Sequence, residues 1–573
     1  MKKKFFLKAI LILVFLFSSY GLVHAKNYEV VVINENIKEF EGGELSYNEE
    51  IPYLKLSGSY YEMGLQYGVL LKEELHEANE EARVLFKSAM PWYLKSFSNL
   101  YLNRETKKME KRIPKEYREE LKGIAEGSGL SYKDMLLFSS FPEIFLGCTS
   151  ILARIDGDVV LARNLDFLPF MGKYPVVVEY NLEGKDKVTS IGIIGYSGVL
   201  TGVNDSGLSL SLNTISMVKK ESSEDLMIGY KNRKILESAS ILNDLDNLLK
   251  DYKSEVGWAI TFASNKENNG VIYELASTGI KKHKLNEEDY LVVNNSFIDD
   301  DLRHNNMGVL TASNFRNQGR YEGLNHQLKN NPIENNDDLL DLLASVKFYE
   351  YEDLVLGLGH YTVNNEGTIQ SILIDYNNDE FLLAVGEGYS GLSSFYRYEI
   401  NQGFLDVYKE GSGKKEIQKL LNRRDKIMDL YWVKDYQGLA EMIYEFEEAN
   451  IYELSGLADL EISKDNNNLL AMIDNGLKKH DKLPELYIRK GKILIEENRN
   501  HEAIVVLINA LSLPYLFEAD KVNIYRYLAR AYYKNDDKYN ASRYAQRCID
   551  NIKKYLIGDS EQEIIDEVMD YIN

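Results

Sequence analysis

The 573-residue sequence is poor in cysteine, proline and tryptophan, with two, nine and three respectively. Two thiols can make at most one bridge, so no disulfide framework staples this fold. No C-x-x-C, H-E-x-x-H or calcium-loop spacing occurs, so neither a metal nor a cofactor is expected. Positive charge is short as well: 67 Lys and Arg face 89 Asp and Glu, for a net charge of −22. A chain this acidic repels polyphosphate, which excludes nucleic acid as a partner and disfavours anionic lipid surfaces. After the first 25 residues there is no second long apolar run, so no further membrane span is expected.

What is present suggests an exported, multi-part protein. Lys2, Lys3, Lys4 and Lys8 precede the apolar stretch Ala9–Phe17, and Val23-His24-Ala25 closes it. That pattern reads as a signal peptide over 1–25 and implies an extracytoplasmic location, secreted or in the cell envelope. The remaining length suits two to four domains. Ser59 and Glu62 form a capping box opening a helix expected to run to about Lys87. Within it, Gly64 and Gly68 share one face and imply a close neighbour. Alternating or β-rich runs at 176–180, 190–194, 207–212, 258–263, 271–275, 290–293, 369–375 and 381–385 predict strands. Helical spacing interrupts them between Asp225 and Lys250. The segments fall at 26–147, 148–410 and 411–573, with Gly411–Lys415 as a linker. The last segment is purely helical. Tyr487, Gly491, Leu494, Ala503, Leu507, Ala510 and Pro514, repeated at Tyr525, Leu528, Ala529, Tyr532, Ala541, Ala545 and Cys548, follow tetratricopeptide spacing. Such an all-α tail could hold a peptide or protein partner in its concave face. Cys548 falls where that repeat takes a small buried residue.

The other cysteine has chemical company. Cys148 lies in Gly147-Cys148-Thr149-Ser150, with Arg163 fifteen positions on and Asp166 eighteen positions on. A thiol, a cation that favours thiolate and an orienting carboxylate make a nucleophilic site. Arg163 and Asp166 would face opposite sides of an ideal strand, so their convergence requires a strand end or sharp twist near Asn164.

The stretch GCTSILARIDGDVVLARNLDF resembles the start of the catalytic subunit in N-terminal-nucleophile (Ntn) cysteine hydrolases: the penicillin acyltransferase family, the bile salt hydrolases and the acid ceramidases. GSYYEMGLQYG resembles the opening signature of the first of these. The resemblance covers roughly residues 50–400. It implies an α+β, four-layer αββα sandwich, with the helical tail outside it. It also implies self-cleavage between Gly147 and Cys148, leaving a thiol and its own α-amine on one residue. That amine titrates near ~8 and can take the thiol proton. By the same resemblance Arg163 sits by the sulfur and Asp166 holds the new amine. Asn204, in YSGVLTGVNDSGLSLSLN, binds the oxyanion. Asn294 is a second donor, with Asn295 the alternative because Val293 replaces the usual Thr. Arg320 lines the substrate pocket, with Arg316 nearly equivalent. The implied substrate is a small N-acyl amide, cleaved or transacylated through a thioester. Two other readings compete: a papain-type pair of Cys148 with His360, whose flanks do not match, and a non-catalytic scaffold that works through its tail.

Overall fold

The structure, a computed structural model, describes residues 28–48, 51–89, 107–139, 147–215, 225–253, 256–285, 289–304, 312–346, 362–412 and, but for 480, 515 and 556, 466–572. The signal segment, His360 and most of 413–465 lie outside the described residues, as do the side chains of 83–89 and 312–316, Arg316 included.

The chain opens with a meander of β1 (Val31–Asn34), β2 (Ile37–Phe40), β3 (Gly43–Asn48) and β4 (Ile51–Ser57). Helices α1 (Tyr60–Leu70), α2 (Lys72–Ala89), α3 (Lys115–Ser128) and α4 (Tyr132–Phe138) follow. Next come β5 (Gly147–Ile155), β6 (Asp158–Asp166), β7 (Pro175–Asn181), β8 (Val188–Ile193), β9 (Thr201–Asn204) and β10 (Leu208–Ile215). After α5 (Ile228–Leu236) and α6 (Leu242–Leu249) lie β11 (Gly257–Ser264), β12 (Asn269–Ala276), β13 (Gly279–Lys284) and β14 (Tyr290–Val293). Then α7 (Asp300–Arg303), α8 (Ala312–Asn330) and α9 (Asn336–Ala344) precede β15 (Thr368–Asp375), β16 (Glu380–Val385), β17 (Phe395–Glu399) and β18 (Gly403–Lys409).

These strands make two sheets, ordered β1-β2-β3-β4-β7-β8-β9-β10-β11-β12-β13 and β14-β5-β6-β15-β16-β17-β18. Neighbours pair antiparallel except β4 with β7, which run parallel because the α1–α4 excursion and the β5–β6 hairpin lie between them. Strand alternation divides the apolar residues into three layers. Leu152, Leu161, Val177, Val203, Ile272 and Ile372 fill the space between the sheets. Ile151, Ala153, Ala162 and Leu373 turn outward from the smaller sheet to meet Leu324, Leu339 and Leu343 of α8 and α9. Leu208, Leu210 and Leu212 turn outward from the larger sheet toward the layer holding Met63, Leu121, Ile124 and Leu236. The result is a four-layer αββα sandwich.

The capping box at Ser59 and Glu62 is present. The helix it opens is not continuous to Lys87: the backbone leaves helical geometry at buried Leu71 and resumes at Lys72. The glycine face finds a matching glycine face on α3. A Cβ on Gly64 would lie 2.1 Å from the Glu120 carbonyl oxygen, and one on Gly123 would lie 2.3 Å from that of Tyr61. Backbone-to-backbone approach of this kind admits no side chain at either position.

The predicted helical stretch 225–250 resolves into α5 and α6. The C-terminal segment is all-α: α10 (Asn466–Lys479), α11 (Pro484–Glu496), α12 (Asn500–Ala510), α13 (Glu518–Lys534), α14 (Lys538–Ile552) and α15 (Asp559–Met569). It has its own core, including Leu494, Leu507, Leu528, Ala545 and Cys548. Cys548 is fully buried there, its thiol donating weakly to the Val522 carbonyl at 3.5 Å. It behaves as a small core residue.

Candidate active site

Cys148 sits at the start of β5, one residue from its end, where the ladder to β6 pairs it with Leu165, and Gly147 with Asp166. On β5 and β6 the odd and even positions divide cleanly. Leu152 and Leu161 face the sheet interface, so Ser150, Cys148, Arg163 and Leu165 do too. Arg163 is fully buried and donates from Nη2 to Cys148 Sγ at 3.1 Å. Its other bonds go to the Leu200 carbonyl at 2.7 Å, the Leu212 carbonyl at 2.7 Å and the Thr201 hydroxyl. No carboxylate pairs with it among the described residues.

Asp166 lies on the opposite face, as alternation demands. The β5–β6 register runs without a shift from Gly147↔Asp166 to Ile155↔Asp158, and β6 ends at Asp166, where its ladder to β15 is irregular between Thr368 and Gln370. The two residues serve one site because they address different sides of the same end of β5. Arg163 meets the sulfur from between the sheets. Asp166 stands beside the bond before Cys148 on the outer face: a Cβ on Gly147 would fall 2.8 Å from the Asp166 Cβ. Only glycine fits there.

Asp166 is itself held firmly. Its Oδ2 accepts from Arg320 Nη1 at 2.7 Å and from Asn365 Nδ2 at 3.1 Å, and its Oδ1 from the Thr368 hydroxyl at 2.7 Å. Arg320, from α8, also reaches the Cys148 carbonyl at 3.3 Å and Asn295 Oδ1. Of the two arginines left open by the sequence, Arg320 has described contacts at the site.

Two expectations need correction. Asn204 does not face the thiol. Val203 points between the sheets, so its neighbour Asn204 points into the helical layer on the far side of the larger sheet. Its Nδ2 is spent on the carbonyls of Leu236 and Ala239, both at 2.8 Å, and its Oδ1 accepts from Leu208 N–H. It closes the β9–β10 turn onto the end of α5. Asn294 is likewise displaced by its neighbour. Asn294 Nδ2 bonds the Asn317 carbonyl, whereas Asn295 Oδ1 accepts the Cys148 N–H at 2.9 Å. The cause is the end of β14: its ladder to β5 stops at Val293↔Ser150, and the Asn295 side chain takes over as acceptor for the next free N–H.

Asn213 was missed. It is fully buried, faces the sheet interface, and accepts from the Ser150 hydroxyl at 2.6 Å. Its Nδ2 donates to the Val293 carbonyl at 3.1 Å. Ser150 lies two residues from Cys148 on the same face, about 7 Å along the strand. The signal was available: Leu208, Leu210 and Leu212 alternate with Ser209, Ser211 and Asn213, a polar row on the inner face of a buried strand. Such a row needs polar partners opposite.

Burial raises the Cys148 thiol above its ordinary value, against the opposing pull of Arg163 and its hydrogen bond.

The residues from 153 to 388 match the family model of the acyl-coenzyme A:6-aminopenicillanic acid acyl-transferases. The chain resembles that family across a stretch holding Arg163, Asp166, Asn213, Asn295 and Arg320. An uncharacterized protein of Archaeoglobus fulgidus is 25% identical over 259 residues, which cover 39% of this chain and 43% of that protein. Acid ceramidase of Homo sapiens is 26% identical over 186 residues, covering 28% and 47%. The matches thus span less than half the length of these curated relatives. Among solved structures, the N-acylethanolamine-hydrolyzing acid amidase ortholog of Caenorhabditis elegans aligns with a TM-score of 0.29 and 18% identity, over 40% of this chain and 92% of that one. A mutant conjugated bile acid hydrolase of Clostridium perfringens aligns with a TM-score of 0.29 and 12% identity, over 47% and 99%.

Proposed function

We propose that this chain is an exported, self-processing amide hydrolase with Cys148 as its nucleophile. One observation carries the reading: a fully buried arginine, with no carboxylate partner among the described residues, donates to the sulfur of Cys148. A buried guanidinium left unneutralised destabilises a fold, and evolution retains such a charge where chemistry uses it.

The reaction begins on the chain itself. Sγ attacks the Gly147 carbonyl, the Cys148 nitrogen leaves with a proton, and water hydrolyses the resulting thioester. Gly147 becomes a carboxylate and Cys148 an α-amine. In turnover that amine removes the Sγ proton, and the thiolate adds to the carbonyl carbon of an N-acyl amide. The proton then passes to the departing nitrogen, and the acyl group stays on sulfur as a thioester. Water, deprotonated by the same amine, releases the acid. Arg163 favours the charge that develops at sulfur. Asn295 accepts the N–H of the same residue, and Asp166 would receive the amine that cleavage frees.

Similarity to acid ceramidases supports an N-acyl substrate with a long acyl chain. Hydrolysis fits an extracytoplasmic location better than transfer, because acyl-CoA is an intracellular donor. The test screens N-acyl amides for released amine with wild type and Cys148→Ala in parallel, and follows intact mass. The reading requires cleavage before Cys148 and turnover in wild type only. An uncut wild-type chain that is silent across the panel would overturn it.

A further inference from the structure

The loop that carries Asn295 is gripped at both ends by one row of the larger sheet. In that sheet Asn213 pairs with Ala259, and Ala259 with Glu274. Ala259, Ile272 and Ala276 belong to the layer between the sheets, so by alternation Glu274 turns into it as well. Two strand spacings, roughly 10 Å, separate Asn213 from Glu274. Asn213 Nδ2 donates to the Val293 carbonyl at 3.1 Å and to the Asn294 carbonyl at 3.4 Å. Glu274 Oε1 accepts from Ile298 N–H at 2.6 Å, and its Oε2 from Asp299 N–H at 3.0 Å. Between the two grips lie Asn295, Ser296 and Phe297. Phe297 is buried in the same apolar layer as Ala259.

Glu274 is fully buried, and a carboxylate is costly there unless donors surround it. A third donor completes the set: His283 Nε2–H donates to Oε2 at 2.9 Å. His283 lies on β13, an edge strand of the larger sheet, and a quarter of its side chain is exposed. Lys281, opposite Glu274 on the same strand, lies 3.6 Å from Asp299 Oδ1 and pairs with Asp301. The ladder of β14 to β5 stops at Val293 and α7 begins at Asp300, so the segment between them depends on side-chain bonds for its shape. That segment places Asn295 Oδ1 on the Cys148 N–H at 2.9 Å. Ile298 is only three residues past Asn295, so loosening the exit of the loop moves the Asn295 side chain.

We infer that Glu274, oriented by His283, is a positioning residue for the proposed reaction: it holds the exit of the 294–299 loop and thereby seats Asn295 on the Cys148 nitrogen. The inference rests on the reading of Cys148 given above. Both residues act through the loop backbone rather than on the sulfur itself. They connect a partly exposed edge of the larger sheet to the nucleophile by way of Ile298 and Asn295.

The experiment uses the full chain. Glu274→Gln keeps the shape of the side chain and leaves one of the two loop N–H groups without an oxygen. His283→Leu removes the third donor at the sheet edge, and His283→Gln returns an N–H. Three quantities are read: kcat and KM on an N-acyl amide, the unfolding midpoint in denaturant, and hydrogen exchange of the residue-148 amide in an uncut Cys148→Ala background. Glu274→Gln is expected to speed that exchange about 10-fold and lower kcat about 10-fold, with KM little changed. His283→Leu is expected to do the same by about 3-fold, and His283→Gln to recover most of that loss. Wild-type exchange at residue 148 in the folded variants overturns the inference. So does a lowered midpoint with wild-type kcat in the folded protein, the mark of a purely structural carboxylate. If Glu274→Gln does not fold, the two His283 variants decide by the same readings. If wild type neither cuts itself nor cleaves any amide in the panel, the proposed reaction fails by itself, and exchange at residue 148 still decides the positioning.

Discussion

Two arginines among the described residues are wholly buried in this sandwich, and they live differently. Arg233, on α5, is paired with two carboxylates. It bonds Glu120 of α3 at 2.7 Å and Glu237 at 3.1 Å, and lies 3.6 Å from the ring centre of Tyr180. Tyr60 and Tyr117 donate to the same Glu237 at 2.8 and 2.9 Å. Arg163 has two carbonyls, a hydroxyl and a thiol, and no carboxylate pairs with it among the described residues. The first arrangement joins parts of the fold: Glu120 precedes Gly147 and Arg233 follows it, so the cluster would hold the two pieces together after the proposed cleavage. The second leaves a cation in excess beside a sulfur. Burial is the same for both. The partners distinguish a structural charge from a chemical one.

Removing Arg233 should give the largest effect on the fold. Arg233→Met strands Glu120 and Glu237, and loss of one side of a buried pair costs about 3–5 kcal/mol. Denaturant unfolding is expected to show that loss. Arg163→Met should do the reverse, lowering turnover about 10²–10³-fold, or roughly 3–4 kcal/mol of barrier. Its midpoint should shift far less, because the lost carbonyl bonds are offset by removal of an unneutralised buried charge. If Arg163→Met unfolds the protein as readily as Arg233→Met does, the contrast fails.

A smaller effect concerns pH. Burial pushes the Glu120 carboxyl up to about 7, although Arg233 pulls it down. In the unfolded chain it titrates near ~4.3. Between those values the folded state holds a proton that the unfolded state has released, so stability falls as pH rises through that window. The unfolding free energy of wild type relative to Glu120→Gln should decline from about pH 4.5 to 7 and level off above. A flat difference would mean that Glu120 is ionised throughout and that the cluster is a simple ion pair.

The smallest effect separates the two cysteines. The Cys548 thiol is pushed up to about 12 by burial, and its contact is with a carbonyl. Cys548→Ala should cost about 1 kcal/mol of stability and leave turnover within twofold of wild type. A larger loss of turnover would give the tail a chemical role that its packing does not suggest.

Much of the site was legible because it is local. Gly147, Cys148, Arg163 and Asp166 lie on one hairpin, so their spacing alone brings them together. Strands such as 290–293, and the glycine face of α1, were legible for the same reason: each is a short-range pattern. The errors fell where contact runs between distant segments. Asn204 and Asn213 belong to one quoted stretch, and a turn separates their strands. Which of them faces Cys148 depends on which face of the larger sheet turns inward. The choice of Asn295 over Asn294 depends on where β14 stops along β5. A shift of one residue reverses either answer, because side chains alternate across a strand.

By itself, the sequence brought Cys148, its arginine and the glycine before it together and set the order of elements in the sandwich. Those follow from residue type and near spacing. Tertiary structure alone decided that Asn295 rather than Asn294 takes the Cys148 N–H, and that Asn213 rather than Asn204 faces the space between the sheets. Those follow from the packing of layers, where strand ends and strand parity are set by neighbours remote in the chain.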